Sequence, residues 1–235
     1  MPFFMYYDPT YFLVLIGVVI TLLASAKVKT TFNKYSRVKN CRGLTGAQAA
    51  EQVLQGAGIY DVRIERVAGN LSDHYDPRSK VLRLSDSVYN QTSVAAVGVA
   101  AHECGHAIQH ARGYAALKLR SVLVPVANFG SQIAWPLILI GLLIGGSSSW
   151  YIMMAGVVAF SLAVLFQLVT LPVEFNASGR ALRILEESNL LIDDELRGAR
   201  KVLSAAALTY VASAAASILQ LLRLVLLAGG RRRND

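Results

Sequence analysis

Long apolar stretches alternate with polar segments along the chain, and this pattern predicts helices that cross a membrane. Apolar stretches nearly free of charge cover residues 10–26, 121–144, 150–173 and 203–228. Each is about as long as the 17 to 25 residues that an α-helix needs to cross a bilayer. The two polar segments cover residues 27–120 and 174–202. We therefore predict about four transmembrane helices, of which the second and third form a hairpin.

The last apolar stretch is weaker than the others, and its topology is open. It is rich in Ala and Ser, which suit close packing between membrane helices, and it contains Gln220 and Arg223. Three consecutive arginines, residues 231–233, follow it. Four full crossings would place these arginines on the side opposite most of the other positive charges. A last helix that does not cross fully is therefore an alternative.

The polar segment 27–120 has the patterns of a small α+β unit. Thr45 is a preferred N-cap residue, and it predicts a short helix that ends near Gly56 and Gly58. Residues 62–67 alternate between apolar and polar side chains, and residues 81–84 follow a turn signal. We expect these two short strands to form a small sheet beside a helix of mostly apolar or small residues at 93–112.

Composition and charge support a membrane protein and argue against a nucleic-acid partner. The chain is 54% hydrophobic and 16% charged, with a mean hydropathy of +0.44, which is too apolar for a typical soluble domain. The net charge is +8, and 19 of the 23 Lys and Arg residues lie in the two polar segments. Because positive residues collect on the cytoplasmic side of membrane proteins, we predict that both polar segments face the cytoplasm. No RNA-binding pattern of basic and aromatic residues is present.

The clearest chemical motif is His-Glu-Cys-Gly-His at residues 102–106. Residues four apart on a helix share a face, so His102 and His106 can bind one metal ion. Glu103 is then placed to take a proton from a water molecule that the ion activates. This is the HExxH signature of zinc metallopeptidases. The alternative, an exposed polar helix face, conflicts with the apolar or small residues around the motif. We interpret Cys104 as a packing residue.

A catalytic zinc site needs a third protein ligand. His110 is one candidate, but eight helical residues separate it from His102, a rise of about 12 Å, so one straight helix cannot bring both to the same ion. Glu174 is the better candidate, because two crossings of the hairpin return the chain to the side of the motif. The alternative for Glu174 is a carboxylate at the membrane boundary that pairs with Arg180 or Arg183.

Peptide hydrolysis at one zinc ion is the chemistry that these residues predict. Glu103 would transfer the proton of the activated water to the leaving amine. A hydrogen-bond donor must also stabilise the oxyanion, and His74, Tyr75 and Arg180 are candidates. His74 is equally well interpreted as a strand-surface residue. Residues 72–85 are a candidate for an edge strand that holds the substrate backbone.

Three separated motifs resemble the YugP-like family of bacterial membrane zinc metallopeptidases, and the likeness covers nearly the whole chain. The motifs are HECGHAIQH at 102–110, LSDHYDPRSKVLRLS at 71–85 and LPVEFNASGRA at 171–181. The chain is similar more distantly to the HtpX and CAAX-prenyl-protease class of membrane gluzincins. The resemblance implies His102, His106 and Glu174 as zinc ligands and Glu103 as the base.

One position departs from the distant class. That class usually has an aspartate four residues after the third ligand, where it orients a ligand histidine, and this chain has Ser178 there. Ser178 and its neighbour Asn176 are candidates to orient the zinc ligands through hydrogen bonds.

The predicted fold is a mainly α membrane protein with a small α+β zincin-like domain, comprising the HExxH helix, about four transmembrane helices and a short β-sheet. The predicted segments are an N-terminal transmembrane anchor (1–26), a zincin-like polar domain (27–120), a transmembrane hairpin (121–173), a third-ligand helix region (174–202) and a C-terminal transmembrane helix with a basic tail (203–235). The apolar stretches predict a multi-pass membrane protein, and the resemblance implies that its membrane is the bacterial inner membrane.

The expected function is that of a zinc-dependent endopeptidase, of the kind used in protein quality control, that cuts membrane or membrane-proximal proteins. Its active site is expected to face the cytoplasm. The alternative is a non-catalytic membrane scaffold or adaptor that zinc stabilises, and a fourth protein ligand would favour it. A homo-oligomer or a regulatory membrane partner is compatible with the sequence, which indicates neither.

Overall fold

The computed structural model describes residues 9–144 and 147–232, and these have the mainly α architecture that the sequence predicts. The helices are α1 (Tyr11–Tyr35), α2 (Gly46–Gly56), α3 (Val94–Ala111), α4 (Ala115–Ile144), α5 (Ser147–Glu187) and α6 (Asp193–Arg232), and the strands are β1 (Arg63–Val67), β2 (His74–Asp76) and β3 (Val81–Ser85). Among these helices, α1, α4, α5 and α6 are long and apolar enough to cross a membrane.

By its internal contacts the chain divides into two compact units. The first unit contains the residues up to Leu23, Arg120–Val169 and the residues from Tyr210 onward. The second unit contains Ala24–Leu119 and Thr170–Thr209. Each long helix therefore contributes residues to both units. The candidate site residues all belong to the second unit.

The long helices extend beyond the apolar stretches that predict them. α1 continues to Tyr35, and α5 continues to Glu187. Residues 174–187 contain no proline, and their one glycine, Gly179, does not end the helix. Nothing in this stretch therefore interrupts the backbone hydrogen bonds of a helix that has already begun. As a result, Glu174 lies inside a continuous helix, where the sequence predicts a separate polar region.

The predicted hairpin contains three prolines and a glycine–serine turn, which are features that can interrupt a helix. Pro125 and Pro136 lie inside α4, and Pro172 lies inside α5. Membrane helices tolerate proline in this position because neighbouring groups satisfy the freed backbone carbonyl. The predicted glycine–serine turn is shorter than expected, since α5 has already begun at Ser147. The two glycines at 145–146, like residues 1–8 and 233–235, lie outside the described residues.

Within the first unit, glycines allow α4 and α5 to pack closely. A Cβ atom added at Gly130 would lie 2.6 Å from the carbonyl oxygen of Ala159. A Cβ atom added at Gly156 would lie 2.9 Å from the carbonyl oxygen of Ala134. Real Cβ atoms do not approach an oxygen so closely. These contacts agree with the hairpin and with the use of small residues at interfaces between membrane helices.

The described residues of the second unit form a three-stranded sheet in the order β1-β3-β2. β1 and β3, which the alternating pattern predicts, pair in parallel, and β2 runs antiparallel to β3. Only β2 therefore lies at an edge within the region 72–85 that is the candidate edge strand, because β3 is the central strand. β2 is three residues long, too short for a pattern to predict it.

Both short helices of the second unit begin after an N-cap residue, and the sequence predicts the first of them, Thr45. Thr45 caps α2 through a capping box with Gln48. The Ser93 hydroxyl caps α3 by accepting a hydrogen bond from the backbone amide of Ala96. α3 is buried along most of its length, in a core that it shares with α2 and β3. The motif helix is therefore the central element of this unit.

α3 and α5 approach each other closely at Gly105. A Cβ atom added there would lie 2.6 Å from the carbonyl oxygen of Ala177. The obstruction is backbone, which a side-chain rotation cannot relieve. The absence of a side chain at Gly105 thus allows α5 to lie against the motif helix.

We predict that Gly105→Ala destabilises the folded protein by about 1–3 kcal/mol, because one added methyl group overfills this contact. The measurement is the thermal unfolding midpoint of the purified protein in detergent. Gly179→Ala is the matched control, since Gly179 lies inside α5 with no atom within 4 Å of an added Cβ. Its expected effect is a gain of up to about 1 kcal/mol from helix propensity. Equal midpoints for the two variants would contradict the close approach.

Candidate metal centre

α3 brings two imidazoles together on one face. His102 and His106 are one helical turn apart, and their rings meet edge to face with centroids 4.8 Å apart. Their side chains are only 13% and 12% exposed. The spacing follows directly from helix geometry, as the sequence predicts.

α5 adds the carboxylate of Glu174 to this pair. Its Oε2 atom lies 3.3 Å from Nε2 of His102 and 3.5 Å from Nε2 of His106, and its side chain is 2% exposed. One ligand atom from each of the three residues lies within 4.8 Å of the others. Ligands about 2.1 Å from a tetrahedral zinc ion are about 3.4 Å apart, so the two distances to Glu174 match zinc coordination, and all three side chains are donor types that zinc accepts.

The Nδ1 atom of His106 faces the amide oxygen of Gln109 at 3.1 Å. The amide orientation is determined by its other end, because Nε2 of Gln109 donates to the carbonyl oxygen of Val173 at 2.8 Å and to Oδ1 of Asn176 at 2.9 Å. The oxygen that remains can only accept, so Nδ1 of His106 carries the proton. The lone pair of neutral His106 is therefore on Nε2, which faces Glu174.

His102 has a matching outer contact on α5. The Ser178 hydroxyl lies 3.1 Å from its Nδ1 atom. Ser178 thus contacts His102 at the position where the distant class has an aspartate. Asn176 contacts neither histidine in the described structure, and it acts through Gln109 instead.

The charges around His106 favour a cation. Burial alone would lower the pKa of His106, but the hydrogen bond to Glu174 and the negative charges of Glu103 and Glu174 outweigh burial and raise it. Glu103 is itself buried, with 9% exposure. The site therefore offers two buried carboxylates beside two imidazoles, an environment that stabilises a positive ion.

The other predicted contact residues lie at different distances from this centre. The Tyr75 hydroxyl on β2 is 2.9 Å from Nδ1 of His110, one turn beyond His106 on α3. His110 is thus at the helix end and outside the three-residue group, as the sequence predicts. His74 is exposed, and its ring contacts the Ser72 carbonyl oxygen and the Arg83 side chain.

Arg180 lies on the same helix as Glu174 and is held by two contacts. Its Nε atom donates to Oδ1 of Asn176 at 2.7 Å, and its guanidinium lies 5.9 Å from the centre of the Tyr114 ring. The structure thus connects Arg180 to the centre through Asn176 and Gln109, without a direct contact to either histidine in the described residues.

Sequence reasoning missed Gln109, which is fully buried. A signal was present, because Gln109 is three residues after His106 and therefore on the same side of a predominantly apolar helix. The motif cysteine, Cys104, is also fully buried, and burial raises the pKa of its thiol well above the usual range. That environment agrees with a packing role.

Comparisons with known proteins identify the family of the chain. The family described as "Putative neutral zinc metallopeptidase" matches residues 10–229. The chain is 48% identical to a Bacillus subtilis (strain 168) protein named "Putative membrane protease YugP", over 95% of this chain and 98% of that protein. No solved structure matches the chain.

We predict that Gln109→Leu weakens zinc binding about 10- to 100-fold, because His106 loses the acceptor that orients it. The measurement is a competition titration of the purified protein with a zinc chelator. Gln55→Leu is the control, since Gln55 is an exposed residue of α2 whose side chain bonds only to Glu51 among the described residues. An unchanged zinc affinity in Gln109→Leu, with an unchanged unfolding midpoint, would show that Gln109 has no positioning role.

Proposed function

The chain belongs to this family of neutral zinc metallopeptidases, and from that premise we propose that it is a membrane-integral endopeptidase acting on membrane or membrane-proximal proteins. The observation that carries the proposal is the group of His102, His106 and Glu174, with ligand atoms within 4.8 Å of one another next to buried Glu103. Three protein ligands, one zinc ion and one position left for water are typical of catalytic zinc sites. The motif followed by a distant glutamate corresponds to the gluzincin arrangement.

When bound, zinc would supply a Lewis acid that activates water and polarises the scissile carbonyl. Glu103 would accept a proton from that water at its carboxylate and deliver it to the leaving amine. No hydrogen bond to the Glu103 side chain is found among the described residues, so its oxygens are available for this transfer.

An extended substrate would pair with the outer edge of β2. β2 pairs with β3 on one side only in the described structure, and its Tyr75 contacts His110 of α3. A substrate strand added there would gain backbone hydrogen bonds without a sequence requirement. Tyr75, Arg180 and His74 remain the candidates that stabilise the oxyanion. Tyr75 and Arg180 are supported by contacts that restrict their side chains, whereas His74 is exposed.

A pair of variants separates the roles of the two buried carboxylates. We predict that Glu103→Gln retains zinc but loses about 10²–10⁴-fold in cleavage rate, because only the proton acceptor is removed. We predict that Glu174→Gln loses both zinc and cleavage activity. Its zinc affinity should fall more than about 100-fold, since the substitution removes a metal ligand and not a residue that only hydrogen-bonds to a ligand. The measurements are zinc content and quantitative profiling of new protein termini in membrane fractions.

Glu187→Gln is the control for this pair, because Glu187 is exposed at the end of α5. It should leave zinc content and cleavage unchanged. Identical terminal profiles for the wild type and Glu103→Gln would refute the endopeptidase and favour a zinc-stabilised scaffold. Normal zinc content in Glu174→Gln would remove Glu174 from the ligand set without refuting the peptidase activity.

The active site is proposed to face the cytoplasm of the bacterial cell. Support comes from the distribution of charge, because fourteen Lys and Arg residues lie in residues 27–120 and five lie in 174–202. Positive residues near membrane spans are retained on the cytoplasmic side. Glu174 follows an apolar stretch of α5 and so belongs to the same side as the motif if the hairpin crosses the membrane twice.

The two native cysteines provide a test of this orientation. Cys41 is exposed in the second unit, and Cys104 is buried. We predict that a membrane-impermeant maleimide labels Cys41 only after intact bacterial cells are permeabilised. The control carries Ser148→Cys in a Cys41→Ser background, which places an exposed thiol at the start of α5, where labelling of intact cells is expected. The reverse labelling pattern would place the site outside the cytoplasm.

A further inference from the structure

A groove with a volume of about 660 Å³ separates the last turns of α1 from residues 200–208 of α6. Lys27 and Lys34 line it from α1, and Arg200 and Lys201 line it from α6. No Asp or Glu lines the groove. Both walls belong to the second unit. The groove therefore collects four positive side chains around one hollow.

Other residues do not neutralise these charges. The described part of the chain contains no ion pair to any of the four side chains, and α1 contains no acidic residue. The acidic residues of α6 are confined to its first turn. There, Asp194 pairs with Arg197, and Glu195 accepts hydrogen bonds from the backbone amide and the thiol of Cys41. The third, Asp193, forms no ion pair in the described part of the chain. Four like charges without counter-charges favour an anionic ligand.

The position of the groove along both helices suggests the origin of this anion. Lys27 is the first charged residue after the apolar stretch of α1, and Lys201 is the last before the apolar stretch of α6. Both helices are long and apolar enough to cross a membrane. The groove thus lies where the candidate spans change from apolar to polar, the level at which phospholipid headgroups are found.

We propose that this groove binds the phosphate group of an anionic phospholipid headgroup. Arg200 can donate two parallel hydrogen bonds to the phosphate oxygens, and the lysines add charge from the opposite wall. The Thr31 and Ser204 hydroxyls, which also line the groove, provide further donors. Leu208, which is 47% exposed, lies on the side of the α6 apolar stretch and provides contact for an acyl chain. The proposal requires the membrane spans but not peptidase activity.

The test measures lipid binding to the full-length protein in a neutral detergent. Native mass spectrometry follows the bound fraction during titration with phosphatidylglycerol or phosphatidylcholine. The wild type should bind phosphatidylglycerol in preference to phosphatidylcholine. The double variant Lys34→Gln/Lys201→Gln should bind phosphatidylglycerol about 25-fold more weakly, since each cation near an anionic lipid is worth about fivefold in affinity. Lys34→Arg/Lys201→Arg keeps both charges and should bind like the wild type.

A charge-matched control distinguishes a site from general attraction. Lys29→Gln/Arg183→Gln removes two exposed cations outside the groove, since Lys29 lines a separate hollow and Arg183 lies on α5. It should bind within about twofold of the wild type. Equal losses in the two glutamine variants would overturn the proposal. Displacement of the lipid by an equal concentration of inorganic phosphate would also overturn it, in favour of a soluble phosphate ligand.

Discussion

The structure depends on one buried carboxylate between two imidazoles. Placing an ionised carboxylate in an apolar core is strongly unfavourable unless a positive partner or several hydrogen bonds compensate. Glu174 is 2% exposed, and its Oε2 atom lies within 3.5 Å of both motif histidines. Neutral imidazoles supply no positive charge, so Glu174 is compensated when one of the histidines is protonated or when a metal ion lies between the three side chains. That compensation is lost if α5 moves away from α3, so the packing of the two helices and the assembly of the donor set depend on the same three residues.

Each of the two helices contributes residues one turn apart. α3 provides His102 and His106, and α5 provides Glu174 and Ser178, and the backbones of the two helices come close together at Gly105 and Ala177. Because a helix advances about 5.4 Å per turn, two such pairs can face each other only when the axes lie close together. Ser178 then reaches the outer nitrogen of His102, and Gln109 makes the equivalent contact to His106. The absence of a side chain at Gly105 leaves room for this backbone contact.

Local rules explain which features the sequence predicts well. The limits of the motif helix follow from the Ser93 cap and the end of the apolar pattern, and the pairing of His102 with His106 follows from helical spacing. Glu174 can be predicted as the third ligand from membrane topology, because two crossings of the hairpin return the chain to the side of the membrane where the motif lies. β2 cannot be predicted from the sequence, since a strand of three residues is too short to show an alternating pattern of apolar and polar side chains. The continuation of α5 through Glu174 was missed because the change from apolar to polar residues resembled a boundary, although no breaking residue stands there.

Gln109 illustrates a different limit of sequence reasoning. An amide on a buried helix face is costly when isolated, so its presence requires partners, but the sequence does not say which ones. The structure shows contacts to α5 through Val173 and Asn176 on one end and to His106 on the other. A leucine would fill the same space but could not form these directional hydrogen bonds. The amide therefore determines which nitrogen of His106 carries the proton, and it leaves the other nitrogen facing Glu174. The partners of Gln109 that determine this position of the proton lie on α5. The helix that supplies the carboxylate of Glu174 therefore also orients His106, one of the two imidazoles with which Glu174 would share a metal ion.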